Sequence, residues 1–140
     1  MQSTINNLNG NYIARDKYIF GEYNVNKYCG GVRRFNCRRA TLQYLVTNKF
    51  ADKKECQNYS PSIEEFLDIT KNFEEEDISF QCYAVSPKRD DYRITVEGIS
   101  IKIDDKDYDS LCLLVSHLRS ADEFSLEHEH DKLSIYAWWD

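Results

Sequence analysis

Three groups of residues in this sequence have types and spacings that could do chemistry. The first is Glu-His-Glu-His-Asp at 127–131, where His128 and His130 stand two apart. On a strand both imidazoles would share a face. With His117 or an aspartate they could hold a metal, and either His117 or His128 beside a carboxylate could act as acid and base. The run is so polar that a solvated loop is the simpler expectation. The second group is Asp105, Asp107 and Asp109, which alternate as the opening ligands of a calcium loop do. Ser110 stands where that loop needs glycine, and Ser116 where it needs a bidentate glutamate. A helix-capping connector fits better. The sequence has no Cys-x-x-Cys pair, no Gly-x-Ser-x-Gly, no phosphate-cradling glycine loop and no dinucleotide fingerprint. The expectation is no catalysis, no cofactor and no metal.

The third group is charged. Residues 1–50 carry eight Lys or Arg against two Asp or Glu, a net +6, while residues 51–140 carry ten against twenty-two, a net −12. Two clusters dominate. Arg33, Arg34, Arg38 and Arg39 flank Phe35, with Tyr28 and Tyr44 nearby. Guanidiniums neutralise phosphate and rings stack on bases, so this cluster is the candidate nucleic-acid site. A pI near 5.1 argues against nucleic acid as the main partner. Glu74, Glu75, Glu76 and Asp77 form an acidic run, and Asp104, Asp105 and Asp107 a second. Either the two portions attract each other inside the fold, or an acidic face meets a basic partner.

The elements that would position these groups can be read from periodicity. Leu133, Ile135, Ala137 and Trp139 alternate with Ser134, Tyr136 and Trp138, which is the pattern of a strand. If the first set faces the core, Tyr136 and Trp138 either lie beneath N-terminal strands or form an exposed aromatic pair suited to an interface. Residues 78–86 alternate through Ile78, Phe80, Cys82 and Ala84. Residues 92–103 read as a hairpin, because the apolar phase switches at Glu97-Gly98, where a two-residue turn would sit. Helices are expected at 62–73, with Ser62 and Glu65 as a capping box, and at 108–121, capped by Asp107 with Tyr108, Leu111, Cys112, Val115 and Leu118 on the inner face. The acidic run 74–77 would then oppose the dipole at the first helix's C-terminus. Leu42, Leu45 and Val46 suit a helix capped by Asn36 or, equally, a strand. In 1–30, Asn9-Gly10, Gly21 and the recurring Tyr12, Tyr18, Tyr23 and Tyr28 suggest a β-hairpin or meander, with strands at 12–14, 17–20 and 23–26.

These elements predict one α+β domain over 1–140: a largely antiparallel sheet with two or three helices packed on one face. No apolar run approaches membrane-spanning length, and the N-terminus lacks the basic start and apolar stretch of a secretory signal. Cys29, Cys37, Cys56, Cys82 and Cys112 are an odd, scattered set. They make a poor disulfide framework, with Cys82 and Cys112 expected in the core, and a reducing cytoplasm is the expected compartment.

The functional expectation is a non-catalytic binding protein that occludes a basic protein partner, such as a nuclease toxin or a nucleic-acid-binding effector. Glu74, Glu75, Glu76, Asp77, Asp104, Asp105, Asp107, Tyr136 and Trp138 would form its surface. In size and charge alone, the chain resembles toxin-neutralising immunity proteins and phage-encoded inhibitors. The alternative is a nucleic-acid-binding module using Arg33, Arg34, Phe35, Arg38 and Arg39. Its oligomeric state is left open.

Overall fold

The computed structural model describes residues 11–140. They build one five-stranded antiparallel sheet with helices on one face. In chain order the elements are α1 (Tyr12–Phe20), β1 (Val32–Cys37), α2 (Arg39–Thr47), α3 (Ile63–Ile69), β2 (Ile78–Val85), β3 (Ile94–Asp104), α4 (Tyr108–Leu118), β4 (Glu123–Glu129) and β5 (Lys132–Trp138). Short 3₁₀ turns lie at Val25–Lys27 and Glu75–Asp77. The strand order is β1-β2-β3-β5-β4. The α+β class and the antiparallel sheet match the sequence reading, but four α-helices are present among the described residues rather than two or three.

Side-chain parity divides the sheet into two faces. Phe80, Cys82, Ala84, Ile99, Ile101, Ile135, Ala137 and Trp139 fill the core on one of them. Leu42 and Leu45 of α2, Ile63 and Phe66 of α3, and Leu114 and Leu118 of α4 pack onto that face. Phe66 meets Phe80 and Trp139 edge-on, with centroids 5.8 and 5.6 Å apart. Such aromatic pairs each contribute roughly 0.5–1.5 kcal/mol beyond the area they bury.

β3 is one continuous strand, not a hairpin. Gln81 pairs with Gly98 and Cys82 with Val96, so Glu97 is an extra residue without a partner on β2. This β-bulge switches the phase and keeps Ile94 and Val96 on the core face with Ile99, Ile101 and Ile103. A turn and a bulge leave the same mark in the sequence.

The N-terminal segment departs further from expectation. Of the expected β-meander, Asn9-Gly10 lies outside the described residues; the strands expected at 12–14 and 17–20 are helix α1, and 25–27 is a 3₁₀ turn. Gly21 ends α1 in the left-handed region (φ 78°), and its N–H donates to the Lys17 carbonyl at 3.0 Å. What α1 buries is an ion pair. Arg15 and Asp16 are fully buried, with Nε donating to Oδ1 at 2.8 Å. The Tyr28 hydroxyl accepts from Arg15 Nη2 at 2.7 Å and donates to Asp16 Oδ2 at 2.6 Å. Arg15 also lies 4.5 Å over the Tyr92 ring and reaches the Val85 carbonyl at 3.3 Å. Burial pushes the Tyr92 phenol up to about 12 and raises Tyr28 as well, the latter reinforced by its bond to Asp16.

α2 starts after Arg38, not at Asn36, which lies in β1. No side chain of its own flank caps it. Glu75 does so from a distance, its Oε2 accepting from Ala40 N at 3.0 Å. The acidic run thus complements a helix N-terminus and does not oppose a C-terminus, because α3 stops at Ile69, short of residue 73. The Ser62–Glu65 capping box is formed as the sequence suggests. α4 is capped by Asp107, which accepts from Ser110 N at 3.2 Å. Its inner face is Leu111, Leu114 and Leu118. Tyr108, Cys112 and Val115 are exposed, against expectation. Cys37 and Cys82 lie buried with sulfurs 3.9 Å apart, and Cys29 and Cys56 are exposed. The Glu-His-Glu-His-Asp stretch is not a loop. It is the end of β4 and a two-residue turn into β5, with His130 at φ 58°.

No helix among the described residues is long and apolar enough to cross a membrane.

Candidate binding face

Among the described residues, the second face of the sheet carries no helix. Strand register places Ser79 and Gln81 of β2, Gly98, Ser100 and Lys102 of β3, Ser134, Tyr136 and Trp138 of β5, and Glu123, Ser125 and Glu127 of β4 on it. Tyr136 and Trp138 are half-buried there, not sealed beneath N-terminal strands. Tyr136 stands between Ser100 and Ser125, and Trp138 between Gly98 and Glu123. A side chain at Gly98 would be crowded, since a Cβ would sit 2.9 Å from Gln81 Oε1 and 3.2 Å from both the Ala137 carbonyl and Trp138 Cδ1.

The low serine floor creates a shallow groove of about 410 Å³. Arg38, Glu76 and Asp77 line it from the β2 end, Glu127 from β4, and Lys102 and Tyr136 from the centre. Arg38 is tied down, donating to the carbonyls of Glu75 (2.8 Å) and Ile78 (3.5 Å). The lining alone is nearly balanced in charge. Glu74, Asp104, Glu123 and Glu129, all exposed, add carboxylates nearby in sequence or register. The Tyr136 phenol is held above its ordinary value by burial and then by the Glu123 and Glu97 carboxylates.

A second hollow of about 270 Å³ adjoins Trp138, lined by Arg34, Tyr83, Arg89, Arg93 and Glu97 among others. Its charges are largely spent on each other. Arg34 Nε donates to Glu97 at 2.9 Å. Arg89 and Arg93 hold Asp91 (2.5 and 2.7 Å), and Arg93 also pairs with Glu55 at 3.0 Å. Burial raises Asp91, but the two guanidiniums outweigh it and hold the carboxyl below the usual range. Glu55 goes the other way, raised by burial that Arg93 only partly offsets.

Of the residues selected from sequence, Glu76, Asp77 and Tyr136 meet at one groove, and Trp138 stands two residues along the same strand. Glu75 is a helix cap. Asp104 ends β3 two residues beyond Lys102 and accepts from Lys106 N at 2.9 Å; Asp105 and Asp107 lie outside the groove in the connection to α4, where Asp105 pairs with His128 at 2.8 Å and Asp107 caps the helix. The sequence reading missed Lys102, Glu127 and the serine floor. The alternation of Glu123, Ser125 and Glu127 with Phe124 and Leu126 was the available signal.

The four arginines do not form one surface. Arg33 lies 3.8 Å over the Phe20 ring on the helix-bearing side, while Arg34 is on the open face. Arg39 donates to the Leu67 carbonyl at 2.7 Å and to Thr70 Oγ1 at 3.3 Å, closing the end of α3. Phe35 packs edge-on against Phe20, half-buried against the core. His117 borders a separate hollow with Glu64, Glu65 and Asp68, of which Glu64 is paired with Lys54 and Glu65 serves the capping box. Among the described residues no three His, Cys, Asp or Glu side chains are grouped to hold a metal ion.

Comparison with known proteins finds no matching family model, no matching curated protein and no matching solved structure. The fold and the face described here therefore carry the functional argument alone.

Proposed function

We propose that this protein is a non-catalytic binding protein that occludes a basic protein partner with the open face of its sheet. Nuclease toxins and nucleic-acid-binding effectors are the class of partner meant, because their own sites are built to hold phosphate. The supporting observation is the one-sided sheet. All four helices pack on one face, and the other presents half-buried Tyr136 and Trp138 over a floor of serine and glycine. Tyr and Trp rings within a polar, charged rim are the residue types on which binding hot spots centre. Carboxylates at Glu76, Asp77, Glu123 and Glu127 would steer a cationic partner and set its orientation. Nothing favours the nucleic-acid reading to the same degree, since Arg33, Arg34, Arg38 and Arg39 each hold an internal contact.

The test compares tagged wild-type chain with Tyr136→Ala and with the double variant Glu76→Lys, Asp77→Lys. Lysate proteins are captured, washed at low and then moderate salt, and identified by mass spectrometry. The captured basic protein is then titrated in pure form. The expected result is one stoichiometric basic protein whose affinity falls about tenfold or more in each variant. Affinity unchanged in both variants overturns the face assignment. Retention of nucleic acid alone overturns the reading in favour of the arginine cluster.

A further inference from the structure

We infer that β4 is a docking edge, onto which an extended segment of a basic partner adds as a sixth strand. This rests on the reading above and extends it from the sheet's face to its edge; Glu123 and Glu127 serve both, while Phe124, Leu126 and the outer backbone of β4 belong to the edge alone. β4 pairs with β5 on one side only, and all seven of its residues are exposed. Among the described residues no strand lies on its outer side, which is a row of backbone donors and acceptors. Seven residues is long for an unprotected edge.

The side chains say what kind of strand fits. Glu123, Glu127 and Glu129 project on the open face, and Phe124 and Leu126 on the other, 38% and 46% exposed. These two apolar residues are only partly covered, although they share a face with core residues Ala137 and Ile135. A second copy of the chain is a poor occupant. Antiparallel self-pairing centred on Leu126 sets Glu123 opposite Glu129, and centring on Ser125 sets Glu123 opposite Glu127. Like charges directly opposite each other destabilise a ladder. A strand alternating Lys or Arg with Val, Ile or Leu satisfies both faces at once. Its cations meet the three glutamates while its apolar residues cover Phe124 and Leu126, and the backbone supplies the remaining affinity. Charges on an edge also deter aggregation. That role alone gives no reason to leave Phe124 and Leu126 partly exposed.

The probe is a capped peptide, Lys-Val-Lys-Val-Lys-Val-Lys, added to the isotopically labelled full chain. The readout is amide hydrogen exchange together with chemical-shift titration. The expected result is exchange slowed about tenfold or more within 123–129 at saturation. A block isomer, four Lys followed by three Val, is expected to bind about tenfold more weakly, as is the alternating peptide to Glu127→Lys. The Tyr136→Ala variant is expected to bind the alternating peptide like wild type, which separates this proposal from the open-face reading. Unchanged exchange in β4, equal binding of the block isomer, or lost binding in Tyr136→Ala would each overturn the inference.

Discussion

The buried Arg15–Asp16 pair makes a sharp prediction about what holds α1 to the rest of the fold. Both side chains are fully buried, and the Tyr28 hydroxyl bridges them. Replacing Arg15 with Met leaves the Asp16 carboxylate in the interior with only a phenol to stabilise it. Removing one member of such a pair costs about 3–5 kcal/mol, a large share of the roughly 5–15 kcal/mol that holds a domain folded. For a chain of this length that corresponds to a fall in Tm of about 10–15 °C. Asp16→Leu alone strands the guanidinium and is expected to cost a similar amount. The double variant should recover most of the loss. Arg15 Nη1 is buried without a hydrogen-bond partner, so the native pair is incompletely satisfied and an apolar replacement relieves that defect. Urea unfolding followed by circular dichroism at pH 7 gives the three free energies and a coupling term. Single variants costing less than about 1 kcal/mol would refute the reasoning, and so would a double variant costing the full sum of the singles.

Three further outcomes follow from other parts of the structure. Glu75→Ala removes the acceptor at the start of α2 and is expected to cost about 1 kcal/mol in urea unfolding, whereas Glu74→Ala, whose side chain makes no cap, should be near neutral. Gly98→Val drives a side chain into the Ala137 carbonyl and Trp138; it should lower stability by about 1–3 kcal/mol and change the Trp138 fluorescence, and an unaltered emission spectrum would count against the packing described. The alkaline limb follows from the raised phenols of Tyr28, Tyr92 and Tyr136. Their folded values lie above the unfolded value near 10, so the unfolded chain loses these protons first. The stabilisation is complete below pH ~10 and is lost as pH rises through the folded values. Tyr92, raised to about 12, accounts for about 3 kcal/mol of it. Spectrophotometric titration should show phenols that ionise only as the fold is lost, and Tyr92→Phe should flatten the alkaline fall in stability.

Legibility in the sequence tracked how far an element depends on alternating burial. β5 shows clean alternation, and from it the placement of Tyr136 and Trp138 opposite the core-facing set was readable, but not whether N-terminal strands covered them. The Ser62–Glu65 box and the Asp107 cap were readable because capping is local chemistry. α1 was not, because what it buries is Arg15 and Asp16, which no hydrophobic period marks. β4 buries nothing, so its alternation looked like a polar loop. The groove was half visible: Tyr136 could be chosen by parity. Its meeting with Glu76, Asp77 and Glu127 depends on the order β2-β3-β5-β4, which is a property of the sheet and not of any one segment.

The bulge in β3 has a consequence for how the chain tolerates changes in length. Remove Glu97 and the residues on either side fall into plain alternation: Ile94, Val96, Ile99, Ile101 and Ile103 inward, Gly98, Ser100 and Lys102 outward. Glu97 is, in effect, a spare residue set into an otherwise regular strand. It is tied down by Arg34 and by its carbonyl, which accepts from Trp139 N at 2.8 Å. A deletion at this position should leave a foldable sheet, while a deletion farther along the strand would turn every residue between it and Glu97 to the opposite face, as loss of Lys102 would do to Ile99 and Ile101. Natural insertions and deletions in β3, if they accumulate anywhere, should accumulate at this one joint.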